Sequence, residues 1–139
     1  MMTTEPTCAQ RWAEHKNSRF SDLRRLWRAY ESGKEDVPDL GNLYEYGLSF
    51  DYVEPGTFGD QPEGYWRYQL SWGGPSDEIR FYSSSPSDNP YRIEYWFLDW
   101  YDGKGRALVG RDLGLARSLW QWFVEAGSTQ SEFDKARAA

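Results

Sequence analysis

His15 and Cys8 are the one histidine and the one cysteine of the chain, so a nucleophilic site built on imidazole or thiol would have to start from them. A serine or cysteine nucleophile needs a base within hydrogen-bond reach, and no G-x-S-x-G turn is present to raise a serine toward one. His15 lies in the polar stretch TCAQRWAEHK, which reads as a short helix with Cys8, Trp12 and His15 on one side. A solvent-facing helix residue is the plainer account of it. Cys8 falls in the first turn of that segment, where a thiolate would be favoured, yet no base is paired with it. One Cys and one His make no zinc set, so neither metal nor cofactor is expected. Carboxylates remain: Asp99 and Asp102 flank Trp100-Tyr101, and two acids can hold magnesium or serve as acid and base on a glycoside. Asp102-Gly103 is equally a turn dipeptide, and that reading is preferred. The glycines of DGKGRALVG lack phosphate-loop spacing. The expectation is a protein that is not an enzyme; the alternative is a small-molecule or carbohydrate-binding domain with an aromatic pocket between sheet and helices, hydrolytic through Asp99.

Composition supports a folded chain that binds something. Of 139 residues 18% are aromatic, including 8 Trp and 10 Tyr, and disordered chains are poor in rings. Trp and Tyr have polar tips that seek a partner, which places many of them at the boundary of the core. The net charge of -6 is uneven. Residues 44–102 hold 3 Lys/Arg against 11 Asp/Glu, whereas residues 103–139 hold 6 against 4. An acidic middle repels phosphate, so direct nucleic-acid binding is disfavoured and a basic partner is favoured. No apolar run is long enough to span a bilayer and no secretion signal is visible, so a cytoplasmic protein without membrane contact is expected. A lone cysteine fits a reducing compartment.

The elements that would position these groups form one α+β domain over residues 1–139. A second helix is expected from Ser21, as cap, to Gly33, as stop, with Leu23, Leu26, Trp27 and Tyr30 as its apolar stripe. Helices therefore occupy 7–33. The sheet should occupy 43–102 as a four-stranded antiparallel meander: LYEYGLSFDYV and YWRYQLSW alternate cleanly, EIRFY is shorter, and YRIEYWFLDWY is the fourth strand. A helix over 112–126, with Asp112 as a cap and Gly127 as its stop, joins the N-terminal helices on one face, and 128–139 is a short frayed tail.

The fourth strand is the anomaly. Ile93, Tyr95 and Phe97 fall on one side, but Trp96, Leu98 and Trp100 fall on the other, where Glu45, Asp51, Arg67, Glu78, Arg80, Arg92 and Glu94 should lie. Large rings beside Arg92 and rimmed by charges have the composition of a binding hot spot. Cover by the N-terminal segment or by a fifth strand at Arg106–Val109 is the other account. At one end of the sheet the first and third connections should meet, placing Glu54, Asp60, Glu63 and Asp88 in an acidic rim. The candidate protein-binding set is thus Trp96, Leu98, Trp100, Arg92, Glu54, Asp60, Glu63 and Asp88.

The run LGNLYEYGLSFDYVEPGTFGDQPEGYWRYQLSWGGPSDEIRFY, followed by RIEYWFLDWYDG, resembles a group of small uncharacterised proteins encoded on conjugative plasmids and integrative elements of proteobacteria. The resemblance spans about residues 20–130 and brings no activity or site. It implies a bacterial cytosol and an accessory role in a mobile element, against host defence or in element maintenance. The leading expectation is an acidic, non-enzymatic module that occupies a basic surface of a bacterial protein. A second copy of the chain could also close the Trp96/Trp100 face as an isologous dimer.

Overall fold

From Cys8 to Glu31 the chain contains neither glycine nor proline, and it forms one helix, α1 (Cys8–Glu31), instead of two. Ser21 lies in its middle and caps nothing, because Phe20, Leu23, Leu26 and Ala29 extend the buried stripe that begins at Trp12. The computed structural model describes residues 8–34, 36–73, 75–99 and 102–138. Asn42 then starts a single helical turn, α2 (Leu43–Tyr46): its Oδ1 accepts the Glu45 amide at 3.0 Å. That local bond overrides the alternating pattern, so the first strand begins only at Ser49.

Five antiparallel strands follow in sequential order: β1 (Ser49–Val53), β2 (Tyr65–Ser71), β3 (Ser76–Tyr82), β4 (Arg92–Asp99) and β5 (Asp102–Ala107). The meander expected from the sequence is therefore present with one strand more. β5 has no alternation to read because two of its six residues are glycine. Asp102 and Gly103, expected in a turn, lie in β5 and pair with Asp99 and Leu98. A register shift between Gln69 and Ser71 ends the alternation of β2, which leaves Trp72 77% exposed instead of facing the core.

α3 (Gly110–Glu125) and α4 (Ser128–Ala138) complete the helical layer. Asp112 does not cap α3. It sits in the first turn and accepts from Lys16 at 2.8 Å and Arg24 at 2.9 Å, tying α3 to α1. The expected tail is the helix α4, which Thr129 and Phe133, one turn apart, hold to the core. Phe133 meets the rings of Tyr52 and Trp66, while Thr129 accepts the Trp66 indole N–H on its carbonyl and donates its hydroxyl to Pro86 O.

Trp66, Phe81, Trp120 and Phe123 fill the space between sheet and helices. The indoles of Trp12 and Trp120 donate to the carbonyls of Tyr95 and Asp88 at 2.7 and 3.0 Å, so the polar tips of these two rings are satisfied inside the fold. Among the described residues no helix is long and apolar enough to cross a membrane.

Candidate protein-binding face

Register fixes which side chains share a face. Phe50, Tyr68, Ile79 and Tyr95 lie in line across four strands, as do Tyr52, Trp66, Phe81 and Ile93, and both rows point at the helices. The neighbouring positions point away: Asp51 and Arg67 in one row with Arg80 and Glu94, then Glu78 with Trp96 and Gly105. The far face thus carries the charges expected of it, except Glu45, which is exposed on α2.

Those charges form a connected lattice. Arg67 grips Asp51 with two hydrogen bonds of 3.0 and 2.7 Å, which is the registered cross-strand pair. Arg80 bonds Glu78 at 2.7 Å and lays its guanidinium on two rings, 4.1 Å from the Trp96 centroid and 4.7 Å from that of Tyr65. Arg92 lies 4.0 Å from the Tyr82 centroid and bonds both Glu94 and Glu63. Cation–π contact on a half-desolvated surface holds the guanidinium groups of Arg80 and Arg92 flat, and the paired bonds to Asp51 hold that of Arg67, so the lattice is ordered in the unbound chain.

Trp96 and Leu98 do not stand uncovered. A Cβ added to Gly105 would come within 2.0 Å of the Trp96 ring, and one added to Gly103 within 2.8 Å of Leu98 Cδ2. The glycines of β5 are seats for these two side chains, and Trp96 also donates its indole N–H to Glu94 at 2.9 Å. Both residues are half-buried by their own chain, so for Trp96 and Leu98 the account of cover by a fifth strand holds, with that strand at Asp102–Ala107 instead of Arg106–Val109. Trp100 lies outside the described residues.

The acidic rim is partly assembled as expected. The β1–β2 and β3–β4 connections meet, for Glu63 of the first accepts from Tyr91 at 2.9 Å and from Arg92. Those donors hold the Glu63 carboxyl below the usual carboxylate range, the Arg92 bond first and the Tyr91 bond second. Glu63 is thus a latch, and its charge is already matched. Glu54, Asp60 and Asp88 have no cation partner among the described residues; the last two are exposed, Glu54 half-buried. Gln61 organises the loop between them, donating to the carbonyls of Glu54 and Glu63 and accepting from Phe58 N.

That loop and the far face enclose a cleft of about 310 Å³, bounded by Phe58 to Glu63 above and by Tyr65, Arg80, Tyr82 and Trp96 below. Tyr65 is 1% exposed and its hydroxyl has no hydrogen-bond partner. Burial pushes its ionisation up to about 12, so the phenol stays protonated across the physiological range. No sequence signal marked this residue; only the register and the loop fold reveal it.

On the covered face, Asp99 is ion-paired with Arg11 of α1, and the His15 imidazole stacks on Phe97 at 4.4 Å. Among the described residues no three His, Cys, Asp or Glu side chains gather to hold a metal ion. Sequence reasoning missed a second surface. Tyr30, Tyr44 and Trp122 meet pairwise edge-to-face at 5.3 to 6.2 Å, with Tyr44 71% exposed, beside a groove of about 380 Å³ at the end of α1. Its signal lay in the Trp27/Tyr30 stripe of the helix.

Comparison with protein-family models, with curated proteins and with solved structures finds no match.

Proposed function

We propose that the chain is a non-enzymatic binding module whose far sheet face and acidic rim take up a basic surface of a partner protein. The observation that carries this reading is that all helical contacts described above fall on one face of the sheet, while the opposite face holds arginines, carboxylates and rings fixed by one another. A surface ordered before binding loses little side-chain entropy when it docks. Glu54, Asp60 and Asp88 at its border, with no cation partner among the described residues, set the sign of the partner. They would also repel a nucleic-acid backbone. The resemblance noted above implies a partner in a bacterial cytosol and an accessory role on a mobile element, as an anti-defence inhibitor or a maintenance factor, and we propose that role on this ground.

An arginine-rich peptide titrated into the ¹⁵N-labelled chain tests the reading. Shifts should fall on β1 to β4 and on residues 54–64, weaken as salt rises, and lose about tenfold in affinity, roughly 1.4 kcal/mol, in the triple variant E54Q/D60N/D88N. Shifts confined to α1 and α3, or none, would overturn it. Self-association through the same face, seen as concentration-dependent sedimentation, would replace the basic partner by a second copy.

A further inference from the structure

The cleft beneath residues 58–63 has a more specific use than the face around it, and the case rests on the reading just given. Its charges balance except at one place. Arg80 is matched by Glu78, and Glu63 by Arg92, so Asp60 is the lining carboxylate with no cation among the described residues. Its walls are rings, and rings here already receive cations: the guanidinium of Arg80 rests on Tyr65 and Trp96, that of Arg92 on Tyr82. Tyr65 is one of its lining residues, and the Tyr65 hydroxyl is buried without a partner. A buried hydroxyl left unpaired costs stability, and such groups in folded proteins mark a missing partner.

We infer that this cleft is a pocket for one basic side chain of the partner, a lysine ammonium or an arginine guanidinium. In that arrangement Asp60 supplies the opposite charge, the rings of Phe58 and Tyr82 line the aliphatic stem and face the cation, and the Tyr65 oxygen accepts one of its N–H donors. An extended basic side chain fits within about 310 Å³. The hydroxyl is closed to water in the unbound chain, so entry needs a wall to shift, and Phe58, 48% exposed, is the wall least held by packing. An anion is disfavoured, since Arg80 is the lining base and it is already bonded to Glu78, with Asp60 and Glu63 on the other side.

The test uses small probes on the whole chain, so it does not depend on finding the partner. n-Butylammonium, n-butylguanidinium and pentanoate are titrated while the Trp96 indole N–H resonance is followed. Expected is a saturable shift with one or both cations and none with pentanoate, the stronger cation telling lysine from arginine. Tyr65→Phe and Asp60→Asn should each weaken the cation at least fivefold, whereas E54Q/D88N should not. Tyr65→Phe removes a hydroxyl that bonds to nothing, so its thermal midpoint should equal or exceed that of the parent; a gain in stability with a loss of binding is a signature that a structural role does not give. A shift with pentanoate alone, equal cation affinity in Tyr65→Phe and Asp60→Asn, or no saturable shift would overturn the pocket. If the butyl cations fail while the arginine-rich peptide still maps to the sheet, the binding face stands and the pocket falls. If they bind while the peptide does not, the pocket stands and the protein partner falls.

Discussion

On the helix-covered face a single carboxylate, Asp77, collects the polar groups: Arg19 with two bonds of 2.7 and 3.1 Å, the Tyr95 hydroxyl at 2.6 Å and the Ser71 hydroxyl at 2.5 Å. Arg19 continues to Tyr46, which donates to Asp22. On the far face no group is so central; Arg67, Arg80 and Arg92 each serve one or two acids and most lean on rings. The covered network is a fixed point of the fold, with four hydrogen bonds on its central carboxylate. The far lattice is distributed, so losing one member leaves the others supported. A surface meant to meet another molecule tolerates that arrangement better, because binding can rearrange part of it without loosening the core.

Substitution at the two centres should therefore differ sharply. Asp77→Ala strands Arg19 and Tyr95 beneath the helices and is expected to cost about 3–5 kcal/mol in urea unfolding, the range for breaking a buried pair. The Asp51–Arg67 pair, measured as a double-mutant cycle, should couple by about 0.2–1 kcal/mol. Similar values at both would erase the distinction between the faces. Next in size is the seat under Trp96. Gly105→Ala should destabilise by about 1–3 kcal/mol as the ring is displaced, and most of that loss should vanish in a Trp96→Ala background. Additive losses would mean that the ring does not depend on that glycine.

The Glu63 latch gives the smallest effect and a pH signature. Its folded carboxyl titrates below the unfolded value, so its contribution is present above about pH 4.3 and is lost as pH falls through the lower folded value. Glu63 is partly exposed, and solvent screens the pair, so the signature is loosening of residues 54–64 instead of global unfolding. Amide protection in that loop, taken relative to the intrinsic exchange rate at each pH, should fall as pH drops below about 4 in the parent and be low at all pH in Glu63→Gln. A pH-independent loop would detach it from the far face.

Much of this was legible in one dimension. Alternation in YWRYQLS and RIEYWFLD placed β2 and β4, and with the neighbouring strands it assigned Asp51, Arg67, Glu78, Arg80, Arg92 and Glu94 to one face, because a period of two needs no knowledge of partners. The break between two helices at Ser21 was read from a capping residue, but a cap matters only where the chain leaves the helix, and nothing after Ser21 forces it to. α4 was missed because two anchors, Thr129 and Phe133, make a weak stripe that becomes persuasive only once Trp66 is beside it. A fifth strand covering Trp96 and Leu98 was legible only as one of two accounts, and its extent was misplaced for a related reason: glycine is silent in a hydrophobic pattern, and its meaning here is the side chain of a neighbouring strand. The lone hydroxyl of Tyr65 and the matched charge of Glu63 are properties of tertiary neighbours and have no counterpart in spacing.

The helical layer is crossed relative to the sheet. α1, made first, rests on β4 and β5: Trp12 bonds the Tyr95 carbonyl 83 residues later and Arg11 pairs with Asp99. α4, made last, rests on β1. During synthesis the first helix must wait, its apolar stripe exposed, until the fourth strand has left the ribosome, and the first strand waits longer still for Phe133. The first and last helices described are thus secured to opposite edges of the sheet, so closing the core calls for contacts between segments far apart in the chain.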